Sequence, residues 1–192
     1  MPASDAQLEA VDQKKNVLER PSWDEYYLTI AYVVAQRSFD ASSKCGCVLV
    51  SKDNRVLSTG YNGPLKHSID EEIPLTRPEK YCHMLHGEEN ALLAYSGSHQ
   101  DIQNSTAYIT GRPCHKCLRM LLQKGITRII YGENETKVVD EVDVKAQELM
   151  IDHQRKWHGY PSIKELNNDF VLAVLQKTSN YIDVKRKQGR IE

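Results

Sequence analysis

His86-Gly87-Glu88-Glu89-Asn90 and Pro113-Cys114-His115-Lys116-Cys117 are the two short segments around which this chain is organised. Each begins a run with the composition of a helix, and the first cysteine follows the histidine by 28 residues. The two cysteines are three positions apart, so a helix brings both sulfurs to one face, where the helix N-terminus favours their thiolate forms. We therefore expect two helices that begin side by side and bring one imidazole and two thiolates together.

That set of side chains is typical of a catalytic zinc centre. His86, Cys114 and Cys117 are predicted to bind Zn²⁺, and three protein ligands leave the fourth position of a tetrahedral ion open for water. Zinc lowers the pKa of such a water toward about 7. Glu88 is predicted to be the catalytic residue, which takes the water proton and delivers protons to a ring nitrogen and to the departing amine. The pattern His-x-Glu followed by Pro-Cys-x-x-Cys is the signature of zinc-dependent nucleobase deaminases.

A closed structural zinc site is the alternative interpretation of the same motif. Cys82, His83 or Cys45 would then supply the fourth ligand. A structural site does not call for a carboxylate two residues after the histidine, so the catalytic interpretation is preferred.

The first half of the chain predicts a helix followed by a hairpin. Ser22 and Glu25 have the spacing of a capping box, which predicts a helix that extends to about residue 38. Two β-branched and apolar runs, 45–51 and 55–60, flank an Asp-Asn turn and predict the hairpin. Residues 65–82 contain two prolines and many charges, and they predict an irregular insertion for which a lid is one hypothesis.

The motif segments themselves lie in a region where helices and strands alternate. Helices are predicted over 86–96 and 114–124, and strands over 106–110 and 128–131. This alternation predicts the α/β class, as a three-layer α-β-α fold with a mixed sheet and helices on both faces.

Residues 136–192 are predicted to be a C-terminal helical extension packed on the same domain. Helices are predicted over 140–158 and 168–187, and a second capping box is predicted from Ser162 and Glu165 between them. The other predicted parts are an N-terminal arm at 1–20 and a zinc-dependent deaminase core at 21–135.

Composition argues against several classes of protein. The 192 residues include 25 basic and 26 acidic side chains, for a formal net charge of -1, so the basic excess of a general nucleic-acid-binding protein is missing. No apolar run approaches the roughly 20 residues of a membrane span, and the polar N-terminus does not resemble a signal peptide. The chain has five cysteines, and the metal-ligand spacing of two of them favours a reducing, cytoplasmic location.

Several stretches resemble the cytidine deaminase superfamily and, within it, the deoxycytidylate (dCMP) deaminases. The likeness spans roughly residues 20–132 and rests on the first predicted helix, which begins Arg20-Pro21-Ser22-Trp23-Asp24-Glu25-Tyr26-Tyr27, on the loop Gly60-Tyr61-Asn62-Gly63 and on the two zinc motifs. The resemblance implies the cytidine-deaminase-like fold and the zinc-dependent hydrolysis of dCMP to dUMP with release of ammonia, a reaction that supplies dTMP synthesis.

The resemblance also implies a substrate-binding loop. Asn62 is expected to hydrogen-bond the sugar hydroxyl, with Tyr61 and Gly63 beside it, and a turn residue with positive φ is the alternative for Asn62. Arg112 stands where these enzymes often have an aromatic residue. A guanidinium at the mouth of the zinc pocket can clamp a substrate phosphate, and a surface arginine paired with a nearby acid is the alternative.

Further partners and cofactors follow from the resemblance. It implies a homo-oligomer, with a hexamer favoured, together with activation by dCTP and inhibition by dTTP, often with Mg²⁺ on the triphosphate. Some relatives carry a second structural zinc, for which Cys45, Cys82 and His83 are the candidates here.

Three other functions stay open on the sequence alone. The substrate could be dCTP, a modified dCMP, deoxycytidine or a purine base, since the zinc motif does not select it. An editing deaminase of RNA or single-stranded DNA needs a basic channel and stacking aromatic residues, which the net charge of -1 and two phenylalanines do not favour. A non-enzymatic subunit with an inactive deaminase fold is disfavoured by the intact histidine, glutamate and two cysteines.

Overall fold

The computed structural model describes residues 20–40, 42–69, 72–74, 76, 78–133 and 141–188, so residues 1–19 of the predicted arm lie outside the described residues. Within these ranges the helices are α1 (Trp23–Ala35), α2 (Gly87–Ala94), α3 (His99–Ile102), α4 (His115–Gln123), α5 (Glu141–His158) and α6 (Asp169–Lys187). The strands are β1 (Gly46–Val50), β2 (Val56–Tyr61), β3 (Gly63–Pro64), β4 (Met84–Leu85), β5 (Thr106–Ile109), β6 (Arg128–Gly132) and β7 (Ser162–Leu166). None of the described helices combines the length and the apolar character needed to cross a membrane.

Helix α1 begins at the predicted capping box. The Glu25 N–H donates to Ser22 Oγ (3.3 Å), and the Ser22 N–H donates to Glu25 Oε2 (2.6 Å). The buried face of the helix includes Leu28 and Ala31. It packs so closely on β1 that a Cβ at Gly46 would overlap the Ala31 carbonyl oxygen, which explains why glycine begins that strand.

The main sheet has the strand order β2-β1-β5-β6-β7. Strand β1 runs antiparallel to β2 and β5, whereas β5, β6 and β7 run parallel to one another. The predicted hairpin is the β1–β2 pair, and the strands predicted at 106–110 and 128–131 are β5 and β6. The predicted mixed sheet is therefore confirmed.

Helices cover both faces of this sheet, because successive strand residues point in opposite directions. Leu49 and Ile109 belong to a core cluster that includes residues of α2, α4 and α5. Val48 and Ile130 belong to a second cluster with α1, against which Phe170 of α6 packs. The predicted three-layer α-β-α arrangement is confirmed, whereas the division into arm, core and extension stays a prediction.

The connection between α5 and α6 differs from the prediction. Ser162 and Glu165 do not form a capping box, because they lie in β7, which pairs in parallel with β6. Ile163 packs on one core cluster and Leu166 on the other, so both layers hold the strand. A serine–glutamate spacing is a local pattern, whereas a parallel strand obtains its hydrogen bonds from a distant segment, and the local prediction was wrong for that reason.

The segment after α2 also differs in detail from the predicted helix at 86–96. Helix α2 ends at Ala94, and Tyr95 follows in an extended conformation. Ser98 then caps the short helix α3 by accepting a hydrogen bond from the Asp101 N–H (3.2 Å). The sequence does not predict this second helix because it has only four residues.

The insertion at 65–82 lies between β3 and β4, which pair with each other in a small second sheet. Residues 70, 71, 75 and 77 lie outside the described residues. The insertion ends in a 3-10 helix at Glu79–Cys82, and Lys80 of this helix is buried against Asp40 in the loop after α1. The described end of the insertion is thus fixed to the loop after α1, and the lid hypothesis stays a prediction.

Candidate metal centre

The candidate metal centre lies where helices α2 and α4 begin. His86 is the N-cap residue of α2 (φ −75°, ψ 159°), and Cys114 is the N-cap residue of α4 (φ −76°, ψ 166°). Cys117 follows in the first turn of α4 and is buried. The two caps share one extended backbone conformation, so both helix starts present their cap side chains in the same way.

The three predicted ligand atoms converge. His86 Nδ1 lies 3.6 Å from Cys114 Sγ and 3.4 Å from Cys117 Sγ, and all three atoms lie within 4.8 Å of one another. Zinc bonds of about 2.1 Å to nitrogen and about 2.3 Å to sulfur, at the tetrahedral angle, place those atoms about 3.6 Å apart. The donor set and its spacing therefore fit a zinc ion.

The protonation states of the three groups are coupled. A hydrogen bond from Cys117, together with His86, holds the pKa of Cys114 well below its usual range, although burial opposes the shift. The same hydrogen bond, burial and the charge of Glu88 raise the pKa of Cys117. The hydrogen bond with Cys114 raises the pKa of His86 against the effect of burial, and Glu88 adds to the rise. A divalent cation would displace the proton that Cys117 retains.

Glu88 lies in the first turn of α2 and is 5% exposed. Its charge raises the pKa of His86 and Cys117, and it also acts on Cys47 of β1. The carboxylate is therefore close to the ligand set and shielded from bulk water. A carboxylate in this position can exchange protons with a water bound between the ligands.

The start of α2 is held in place from two directions. The His86 N–H donates to Glu89 Oε2 (2.7 Å), and Asn90 Nδ2 donates to the Tyr61 carbonyl (2.7 Å) at the end of β2. A Cβ at Gly60 would overlap the backbone of α2, so only glycine lets β2 approach this closely. The polar residues after the histidine thus position the helix that carries the catalytic candidates.

The predicted nucleotide loop lies beside this helix. Asn62 is buried, its Oδ1 accepts the Cys45 N–H (2.7 Å), and its Nδ2 donates to the Ser43 carbonyl (2.7 Å). Among the described residues, the non-glycine residues with positive φ are Asn54, His67 and Asn104. Asn62 does not have positive φ, so the alternative of a positive-φ turn residue was wrong. Tyr61 ends β2, and Gly63 begins β3. The Asn62 amide therefore fixes residues 43–45 against the loop.

Arg112 lies two residues before Cys114 and is half-buried. Its Nε donates to Gln147 Oε1 (3.1 Å) on α5. The guanidinium is thus oriented by a side-chain amide on α5.

Helix α5 contributes residues that sequence reasoning missed. Asp143 Oδ1 accepts the His115 N–H (2.7 Å) and also contacts His115 Nδ1. Gln147 Nε2 donates to Asp143 Oδ2 (3.0 Å). The sequence signal was only an acidic residue in the first turn of a predicted helix, which is a common feature of helix starts.

The three candidates for a second zinc behave differently from the first set. Cys45, Cys82 and His83 do not form a group with metal-ligand spacing in the described part of the chain. Cys82 is exposed and Cys45 is half-buried. The structure thus supports a metal site formed by His86, Cys114 and Cys117, and it gives no support to a second site at Cys45, Cys82 and His83.

Comparison with known proteins agrees with this geometry. A family model for the cytidine and deoxycytidylate deaminase zinc-binding region matches residues 21–133, which include both motif segments. The chain is 30% identical over 125 residues to a deoxycytidylate deaminase from Homo sapiens, covering 62% of this chain and 69% of the relative. It is 36% identical over 127 residues to a deoxycytidylate deaminase from Mycobacterium phage D29, covering 59% of this chain and 97% of the relative.

A solved structure shows the likeness in fold. The dCMP deaminase from the cyanophage S-TIM5, in complex with dCMP and dUMP, matches 77% of this chain and 99% of its own chain. The TM-score is 0.56 at 24% sequence identity. The shared architecture extends beyond residue 133, where the family model ends, since 77% of the 192 residues is more than residues 1–133 contain.

Proposed function

Because this chain belongs to the cytidine and deoxycytidylate deaminase family, we propose that it is a zinc-dependent enzyme that hydrolyses dCMP to dUMP and releases ammonia. The observation that carries the proposal is the convergence of His86, Cys114 and Cys117. Glu88 is buried, and its charge acts on both His86 and Cys117, as expected for a carboxylate that exchanges protons at this centre. The names of the relatives from Homo sapiens and phage D29 favour dCMP over other cytosine compounds.

His86, Cys114 and Cys117 would hold the zinc ion. When bound, zinc supplies an activated water at neutral pH. Glu88 would accept one proton as the oxygen adds to the amine-bearing ring carbon and would pass it to the adjacent ring nitrogen. It would then take the remaining proton of that oxygen and deliver it to the departing amine, so that the C–N bond breaks as the carbonyl forms. The net reaction consumes one water and releases one ammonia, so no oxidant or reductant is needed.

The nucleotide is proposed to lie against the loop formed by Tyr61, Asn62 and Gly63. The Asn62 amide has a second N–H and a second lone pair beyond those that hold residues 43–45, and these can bind the sugar hydroxyl. Arg112 is proposed to bind the phosphate. A guanidinium has the geometry for bidentate phosphate binding, and the bond from Nε to Gln147 orients this one.

Ammonia release from a substrate panel tests the proposal. The zinc-loaded chain is assayed with dCMP, CMP, dCTP, deoxycytidine and guanine, and we expect the highest kcat/KM for dCMP. Efficient turnover of another member of the panel, with none of dCMP, would overturn the substrate assignment. No ammonia from any member would overturn the assignment as a deaminase of these compounds.

The proposal extends to the assembly and the regulation of the enzyme. The resemblance supports a homo-oligomer, with a hexamer favoured, a response to dCTP and dTTP with Mg²⁺ on the triphosphate, and a cytoplasmic location. Apolar side chains on α6, such as Leu172 at 71% and Tyr181 at 62% exposure, support a contact between subunits. Light scattering, assays with each effector and a metal count per chain test the oligomer, the regulation and a second zinc.

A further inference from the structure

Helix α5 lies beyond the segment that the family model matches, yet its first turn contacts the metal-binding turn. Asp143 Oδ1 accepts the backbone N–H of His115 at 2.7 Å, and His115 Nδ1 lies against the same carboxylate. His115 is the first residue of α4 and stands between the two cysteine ligands. Its N–H is one of the helix-start donors that have no partner within the helix. Asp143 therefore caps α4 from another element of the fold.

The same carboxylate begins a chain of hydrogen bonds that ends on Arg112. Gln147 Nε2 donates to Asp143 Oδ2 (3.0 Å), and Gln147 Oε1 accepts from Arg112 Nε (3.1 Å). Gln147 is 2% exposed, and Ile151, one turn further along, belongs to the core. Residues 143, 147 and 151 lie on one face of α5. This face is the packed face of the helix, so the positions of both polar side chains are set by the core.

These hydrogen bonds are shielded from water, so their loss would be costly. The Asp143 side chain is 17% exposed, and this burial acts to raise the pKa of Asp143. The hydrogen bonds from His115 and Gln147 together outweigh burial and lower the pKa. The carboxylate is thus charged at neutral pH and close to the positive end of the α4 dipole. If either Asp143 or Gln147 were replaced by an apolar residue, the other side chain would keep a buried polar atom without its hydrogen bond.

We propose that Asp143 and Gln147 are positioning residues of this deaminase. Asp143 holds the turn that carries Cys114 and Cys117, and so sets the affinity of the centre for zinc. Gln147 orients the Arg112 guanidinium for the substrate phosphate, and this second role rests on the proposed function. Residues that orient metal ligands through hydrogen bonds are typically worth about 10- to 100-fold in metal affinity.

Zinc affinity tests the role of Asp143. Asp143→Ala removes the acceptor for the His115 N–H, whereas Asp143→Asn keeps one. The control is Asp152→Asn, at an exposed position of the same helix. Competition with a chromogenic chelator should give a zinc affinity about 10-fold weaker for Asp143→Ala, an intermediate loss for Asp143→Asn and no change for the control. Wild-type affinity in a folded Asp143→Ala would overturn the assignment, and if that variant does not fold, wild-type affinity in Asp143→Asn would do so.

Kinetics with two substrates test the role of Gln147. Gln147→Met keeps the volume of the side chain but removes its hydrogen bonds to Asp143 and Arg112. We expect the KM for dCMP to rise about 10-fold, in line with the loss of one charge-assisted contact to the phosphate. The KM for deoxycytidine, which has no phosphate, should stay unchanged. Equal changes for both substrates, or none, would overturn the assignment. If the wild-type chain does not turn over dCMP, the proposed function and the Gln147 role fall together, and the zinc measurement still decides the role of Asp143.

Discussion

Lys80 Nζ lies 2.8 Å from Asp40 Oδ2, and the two side chains are 5% and 9% exposed. Asp40 Oδ1 also accepts hydrogen bonds from the Ser42 N–H (2.9 Å) and the Ser43 N–H (3.2 Å). The Ser43 carbonyl in turn accepts from Asn62 Nδ2. One buried ion pair thus connects the insertion before His86 to the loop that is proposed to hold the nucleotide.

Removal of the lysine should destabilise the fold. Lys80→Met leaves the Asp40 carboxylate buried without its cation, and the expected loss is about 3 kcal/mol in the free energy of unfolding. Urea denaturation at neutral pH measures this loss, with the exposed Lys52→Met as the matched control. The double variant Asp40→Asn/Lys80→Met should recover part of the loss, because it no longer buries a lone charge. A loss in Lys80→Met no larger than that of the control would contradict the prediction.

Replacement of Glu88 should separate metal binding from catalysis. Glu88→Gln keeps the size of the side chain but cannot shuttle a proton, so we expect kcat to fall by about 100- to 10,000-fold while the zinc content stays at the wild-type level. Ammonia release and metal analysis on the same preparation measure the two quantities. Turnover within a few-fold of wild type would show that another group moves the proton.

Replacement of Arg112 should weaken the binding of a nucleotide substrate more than that of a nucleoside. Arg112→Ala should raise the KM for dCMP far more than the KM for deoxycytidine, because only the nucleotide carries the phosphate. Arg112→Lys should recover part of the loss, since it restores the charge but not the bidentate geometry. Steady-state kinetics with both substrates measure the effect, and equal changes in the two KM values would rule out phosphate recognition by this residue.

The pairing of Asp24 with Arg128 should contribute to stability in a pH-dependent way. The Asp24 carboxylate accepts from both Nη groups of Arg128, at 2.7 and 2.6 Å, and from Tyr108 Oη at 3.0 Å. The hydrogen bond from Arg128 is the main cause that lowers the pKa of Asp24, and burial opposes it. Because the folded pKa lies below the unfolded value of 3.8, the contribution is present above that pH and is lost as the pH falls through the folded pKa.

Asp24→Asn therefore should lower the free energy of unfolding at neutral pH and should flatten its decline in acid. Urea denaturation of both proteins from neutral pH down to about pH 2 measures the two curves, which should converge at the acid end. Curves that stay parallel over the whole range would contradict the prediction.

Local patterns predicted the parts of the fold whose interactions are local. The capping box of α1 spans one helical turn, and the spacing of Cys114 and Cys117 places both sulfurs on one face of α4. Strand β7 could not be predicted in this way, because its partners lie in β6. A capping-box spacing at Ser162 and Glu165 is satisfied equally well by residues of a strand, so the local pattern misled where the tertiary contact decided.

The sequence by itself determined the chemistry of the candidate site, because residue identity and spacing set which atoms can bind zinc and which carboxylate can move a proton. Only the tertiary structure decided which groups hold that chemistry in place. Asp143 reaches His115 across 28 positions, and Gln147 reaches Arg112 across 35. Such partners follow from the packing of α5 on the core. This packing cannot be derived from the local sequence patterns of either segment, because it depends on contacts between residues far apart in the chain.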